Sequence, residues 1–164
     1  RSIAWNGINA YITNVPEIIL SKEEIHDIYS LRWQVEIMFK IWKSVFNIDN
    51  VKPVKLERFK CFLYGRLISV LFSSIIVSTA KDIIYEEDSN EISEIKSFYH
   101  VTEFFNILRI EIFKGELAIS KLFKRILNVI RKLGIKSKKK GKKTINQILK
   151  YMKISSNDLV SMVV

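Results

Sequence analysis

The residues best suited to chemistry lie between positions 29 and 43, in the stretch Tyr29-Ser-Leu-Arg32-Trp33-Gln-Val-Glu36-Ile-Met-Phe39-Lys40-Ile-Trp42-Lys43. At the ~100° per residue of an α-helix, Tyr29, Arg32, Glu36, Lys40 and Lys43 form one polar stripe. Ile28, Leu31, Val35, Met38 and Trp42 form an apolar stripe centred roughly 130° away. One face is built to dock, and the other aligns a carboxylate with three cations and a phenol. A carboxylate flanked by cations is a poor isolated metal ligand, yet it suits a site that receives a metal ion and a phosphate together. Its oxygens bind a hard cation while Arg and Lys hold phosphate oxygens, an arrangement for phosphoryl transfer on nucleic acid. Spacing alone favours a plainer reading. Glu36 with Arg32 or Lys40 is an ordinary i,i+4 pair that stabilises a helix by ~0.2–0.5 kcal/mol, with Trp33 and Trp42 as core or half-exposed aromatics.

The elements that must position this stretch follow from periodicity and capping. Ile8 to Val15 alternates, is rich in β-formers and is stopped by Pro16, which predicts a strand, with a second extended segment around Ile3 to Trp5. Ser21 with Glu24 three residues later reads as a capping box that opens a long helix from Lys22 to Phe46. After a loop at 47–53, a second helix is expected from Leu56 to Ile84, then an acidic surface loop from Glu86 to Glu94. Helical patterning returns from Ile95 to Phe113, and Gly115 is expected to break or kink it. From Glu116 to Leu133 the residues Ile119, Leu122, Phe123, Ile126, Leu127 and Ile130 share one face, and Gly134 reads as a C′ glycine. Ser137 to Lys143 is a lysine run around Gly141. Thr144 with Gln147 suggests a further capping box before a short helix, and Ser155 with Asp158 a last one. The piece from Thr144 to Val160 faintly resembles a helix-turn-helix, but Lys153 stands where a glycine is common at that turn. Few side chains there suit base edges, so a helical pair packing on the domain or a partner is favoured.

Bulk properties bound the function. The 164 residues include 27 Lys+Arg against 17 Asp+Glu, a formal net charge of +10. Such an excess attracts polyanions, because each neutralised phosphate releases condensed counterions. Nucleic acid is the leading partner and an anionic membrane surface the other. The Lys138–Lys143 cluster suits backbone contact without sequence preference. One cysteine, Cys61, excludes an internal disulfide framework and fits a reducing compartment. Two histidines far apart give no zinc spacing. The apolar run from Cys61 to Ala80 is interrupted by Arg66; its remainder falls short of the ~20 residues that span a bilayer, so a buried core helix is expected there. The N-terminus lacks a signal-peptide pattern, and the start at Arg1 suggests a fragment or processed chain.

The spacing Tyr29-x2-Arg32-x3-Glu36-x6-Lys43 resembles the Y-R-E-K signature of bacterial insertion-sequence DDE transposases. The neighbours Arg32-Trp33, Val35-Glu36, Phe39-Lys40 and Lys43-Ser44 are similar too. Upstream, Tyr11-Ile-Thr13-Asn14-Val15-Pro16 resembles the strand before this helix in that family. Downstream, Glu57-Arg58 and the stretch from Cys61 to Leu71 resemble the helix that follows. The resemblance runs from about Ala10 to Leu71. It implies an RNase H-like fold in which Glu36 is the third catalytic carboxylate and binds Mg²⁺ or Mn²⁺ in a two-metal site. It further implies that Tyr29, Arg32 and Lys43 contact phosphates at the transposon end, and that Trp33 lines the pocket near that end. Lys40 is added from the helical wheel. The two aspartates of the family are expected on strands upstream. None of the first twenty residues is aspartate, and Asp27, Asp49, Asp82, Asp88 and Asp158 fall within or after the helix.

The expectation is therefore a mainly α chain with one or two N-terminal strands. Residues 1–84 would end an RNase H-like catalytic domain and residues 85–164 form a helical C-terminal region. Its parent would cleave and join double-stranded DNA at transposon ends and target, as a homodimer in the bacterial cytoplasm at the nucleoid, without a membrane. This chain alone would be inactive. The rivals are a non-catalytic basic DNA-binding helical module and a helical partner-binding or membrane-surface protein.

Overall fold

Ser21 opens the first helix as the sequence predicts. In this computed structural model, which describes residues 10–15, 21–137, 145, 147 and 148, the Ser21 backbone N–H donates to Glu24 Oε2 at 2.8 Å, and the Glu24 N–H donates back to Ser21 Oγ at 3.4 Å. Two donors that a helix start leaves without partners are thereby satisfied. The described helices are α1 (Lys22–Leu31), α2 (Trp33–Ser44), α3 (Leu56–Asp88), α4 (Glu94–Glu103), α5 (Phe105–Glu111) and α6 (Glu116–Leu133), with a 3-10 turn at Ile112–Lys114. The chain divides into two compact units, residues 1–35 with 141–164 and residues 36–140.

In the first unit, the expected single helix from Lys22 to Phe46 is interrupted at Arg32. The Arg32 N–H reaches Tyr29 O at 3.1 Å, and the Val35 N–H reaches Arg32 O at 3.1 Å. These i→i−3 bonds tighten the chain into 3-10 geometry while Arg32 itself keeps φ −52 and ψ −32. Just before the break, the Ser30 hydroxyl donates to Asp27 O at 2.6 Å, a back-bond of the kind that bends helices. Residues 10–15 carry no strand, so the predicted strand is not shown there. A strand needs a ladder partner, and none is present among the described residues. The rest of that strand, the segment around Ile3 to Trp5, and nearly all of the elements expected beyond Ser137 lie outside the described residues.

In the second unit, the core is built from the far end of α2, the second half of α3, and α4 and α6. Ile41, Phe46, Val77, Ala80, Ile84, Phe98, Val101, Leu122, Ile126 and Ile130 are buried. Phe46 meets Phe98 edge to face, centroids 6.0 Å apart. Helices α3, α4 and α6 pack against one another. The apolar stripe expected on α2 is corrected: Val35 is exposed, and the side turned to the core carries Ile37, Met38, Ile41, Trp42 and Val45. Asn47, at φ 50, ends α2 in the left-handed region that Asn tolerates. Arg66 then donates to Asn50 O at 2.9 Å, tying the loop to α3.

Helix α3 runs four residues beyond the predicted Ile84 and absorbs the start of the expected acidic loop. Its end is stabilised because Arg131 of α6 pairs with both Glu87 and Asp88. The expectation that its apolar run is core holds for the second half alone. Phe62, Leu67, Ile68, Leu71 and Ile75 are exposed, because apolarity states that a face needs cover without supplying the cover. Around Phe72 and Phe105 this surface dips into an apolar cleft of about 330 Å³. By length and composition, though largely unburied, α3 is long and apolar enough to cross a membrane. The predicted helix from Ile95 to Phe113 is divided at Phe104 into α4 and α5.

Gly115, at φ 94, makes the expected break and starts α6, whose bounds match the prediction. Gly134 is corrected: its φ is −89, so it does not serve as a left-handed cap. It is needed for space, since a Cβ there would lie 3.1 Å from Ser97 Oγ and 2.7 Å from Ile130 O. This close approach lets Ser93 N–H reach Gly134 O at 2.7 Å and Lys136 N–H reach Glu91 O at 2.8 Å, around the antiparallel bridge of Ile92 and Ile135.

Candidate functional residues on helices α1 and α2

The last turn of α1 holds an aromatic and cationic group. The Arg32 guanidinium carbon lies 5.1 Å from the Tyr29 ring centre. Tyr11 packs on Tyr29 with centroids 5.0 Å apart, and its hydroxyl is hydrogen-bonded to His26 Nδ1 at 2.7 Å. Tyr29, Arg32 and Trp33 are all exposed. A planar, delocalised guanidinium is well suited to rest on a ring face. Sequence reading missed Tyr11 and His26. The i,i+3 spacing of His26 and Tyr29 was a local signal, but nothing in the sequence brings Tyr11 to them.

Glu36 sits in the first turn of α2, Lys43 in the last, and Lys40 between. Spaced i, i+4 and i+7, they fall within ~60° of one another, nearly opposite buried Ile41. Glu36 is half-buried, and both lysines are exposed. The break at Arg32 gives Glu36 a role the sequence did not predict. A carboxylate in the first turn and a lysine in the last each complement the helix dipole. That contribution is structural and holds with or without a ligand.

Among the described residues, no group of three His, Cys, Asp or Glu side chains is placed to hold a metal ion. Magnesium requires a near-octahedral oxygen shell. Glu36 is one donor side chain, so the described residues do not by themselves form such a site. The arrangement offers one carboxylate and two ammonium groups on α2, and in the other unit an aromatic-backed guanidinium.

Residues 1–72 match the family model described as "Transposase DDE domain". The chain is 55% identical over 156 residues to the transposase for insertion sequence element IS1151 of Clostridium perfringens, covering 95% of this chain and 33% of that protein. It is 40% identical over 149 residues to the transposase for IS231D of Bacillus thuringiensis subsp. finitimus, covering 91% of this chain and 31% of the relative. The IS231B transposase of Bacillus thuringiensis subsp. berliner is 37% identical over 149 residues, again 91% and 31%. The chain belongs to the DDE transposases of bacterial insertion sequences. It spans about a third of the length of these relatives. No solved structure matches it.

Proposed function

We propose that this chain is the C-terminal third of an insertion-sequence transposase, and that Glu36 supplies the last carboxylate of its catalytic set. The observation that carries the reading is the solvent face of α2. Glu36, Lys40 and Lys43 stand on one side of a helix whose other side is fixed by Ile41, 0% exposed, so a carboxylate and two cations are held in place by a packed core. Glu36 would be one ligand of a site for Mg²⁺ or Mn²⁺, with the remaining ligands outside this sequence. Bound there, two divalent ions would supply activation of the attacking oxygen and charge neutralisation at the leaving one.

The chain's own cations take the DNA. Lys43 and Lys40 meet phosphate oxygens as point charges. Arg32 meets them through its planar fork, backed by Tyr29. Exposed Trp33 offers a face on which an unpaired base at the transposon end can stack. Residues 1–84 are assigned to the end of the RNase H-like domain and residues 85–164 to a helical C-terminal region. The partner is double-stranded DNA at transposon ends and target, in the bacterial cytoplasm, bound by a homodimer.

The test is strand cleavage at a transposon end by the full-length transposase carrying this sequence. Glu36→Gln keeps the shape and removes the charge. It should abolish cleavage and leave end binding within a few-fold of the unaltered protein, on the order of 1 kcal/mol or less. Cleavage surviving in Glu36→Gln would contradict the assignment. Loss of binding along with cleavage would favour a non-catalytic DNA-binding role.

A further inference from the structure

Helix α6 has one acidic residue, Glu116, at its start and five basic ones after it: Lys121, Lys124, Arg125, Arg131 and Lys132. Arg131 is engaged by Glu87 and Asp88 of α3. Among the described residues, Lys121, Lys124, Arg125 and Lys132 have no carboxylate within ion-pair distance, and all four are exposed. Lys121, Arg125, Asn128 and Lys132 follow one another at i, i+4, i+7 and i+11, within an arc of ~60°. Lys121 and Arg125 also line an open cleft of about 390 Å³ against the 3-10 turn, where Lys114 is paired with Glu111 at 2.7 Å.

A helix exposed merely for solubility interleaves both signs. This one is of a single sign for its last three turns, and Glu87, Asp88 and Glu111 nearby are already paired. We infer that the stripe of Lys121, Arg125, Asn128 and Lys132 is a second DNA contact, a sequence-independent clamp on the phosphate backbone of duplex DNA outside the α2 site. The stripe is ~16 Å long, and phosphates on one strand advance ~3.4 Å along the duplex axis, so one strand passing along α6 presents phosphates to all three cations. Asn128 adds a neutral donor between them. An anionic membrane is disfavoured as occupant. A helix lying on a membrane must offer its apolar face, whereas Leu122, Ile126 and Ile130 of α6 are buried in the core.

The partner class rests on the proposed function, but the experiment reads binding alone, without cleavage. The full-length transposase carrying this sequence is titrated against a nonspecific 30-base-pair duplex by fluorescence anisotropy across a salt series. The triple variant Lys121→Gln, Arg125→Gln, Lys132→Gln is compared with a control of equal charge change on other exposed surface, Lys52→Gln, Lys60→Gln, Lys96→Gln. Helix content by circular dichroism confirms that both fold. The α6 triple should lower the slope of log K against log salt by about 2 to 3, and the control by less than about 1. Equal loss in both triples, or none in the α6 triple, overturns the clamp. So does binding of the chain to phosphatidylserine vesicles without binding to DNA. If the α6 triple leaves binding intact while Glu36→Gln abolishes cleavage in the full-length protein, the clamp fails and the α2 assignment stands. The reverse pattern keeps the clamp and removes the α2 assignment.

Discussion

The Arg32 guanidinium carbon rests 5.1 Å from the centre of the Tyr29 ring. A cation over an exposed aromatic face gains about 0.5–1 kcal/mol and is held in one orientation. On the proposed reading, the ring and the hydroxyl of Tyr29 make separable contributions to DNA binding. Tyr29→Phe keeps the ring and should leave end binding by the full-length transposase close to unaltered. Tyr29→Leu removes the ring and should weaken it about two- to five-fold. Equal losses in both variants, measured by anisotropy on a transposon-end duplex, would assign the contribution to the hydroxyl.

The packing that fixes α2 makes a second prediction. Ile41 is 0% exposed, and Ile41→Ala should destabilise the second unit by about 2–5 kcal/mol. Val35, exposed six residues earlier, should cost less than about 0.5 kcal/mol as Val35→Ala. Urea denaturation of the chain measures both. Similar costs at the two positions would show that α2 does not dock through the face carrying Ile41.

Gly134 should resist any side chain. Gly134→Ala places a methyl 3.1 Å from Ser97 Oγ and 2.7 Å from a backbone oxygen. It should lower stability by about 1–3 kcal/mol through overpacking. Gly115→Ala meets nothing within 4 Å, and its cost arises from the positive φ alone. The two are separable by size: Gly134→Ser or Gly134→Val should be worse than Gly134→Ala, whereas unbranched residues at 115 should all cost about the same. Thermal unfolding midpoints report the pattern.

The capping box gives a pH dependence with a definite sign. The Ser21 backbone N–H first, and the Ser21 hydroxyl second, hold the Glu24 carboxyl below its ordinary value of 4.5, against a small opposing effect of desolvation. A carboxyl with a depressed value in the folded state stabilises fully above its unfolded value and loses that contribution as pH falls through the depressed one. The order of α1, followed by the amide signals of residues 21–25, should therefore decline on the acid side in that window. In Glu24→Gln the same signals should be independent of pH there. Ser21→Ala should cost about 0.5–2 kcal/mol at neutral pH.

What the sequence made legible was local. The capping box of Ser21 and Glu24 and both ends of α6 follow from side chains within a few residues of one another, and the structure repeats them. The i,i+4,i+7 face of Glu36, Lys40 and Lys43 was legible because all three fall on one helix. Features that depend on distant chain were not. The break at Arg32 is local, but it turns on competition for backbone carbonyls near Ser30, which periodicity does not register. The apolar half of α3 was read as core because its residues are apolar, yet a core also needs a second surface. Gly134 resembles a left-handed cap because it follows a helix, but its constraint is space, set by Ile130 one turn back and by Ser97, thirty-seven positions away. Tyr11 joined His26 and Tyr29 by the same kind of long-range contact.

The central claim is that Glu36 is a metal ligand rather than a charge that merely complements the start of α2. Replacement by cysteine tests it most directly, because a thiolate is a poor ligand for Mg²⁺ and a better one for Mn²⁺. In the full-length transposase, single-turnover cleavage at the transposon end is measured for Glu36→Cys and Glu36→Ala in each ion. The account predicts that both variants are inactive in Mg²⁺, that Mn²⁺ restores part of the rate to Glu36→Cys, and that Glu36→Ala stays inactive in either. Cleavage by Glu36→Ala at a rate near that of the unaltered protein would contradict it.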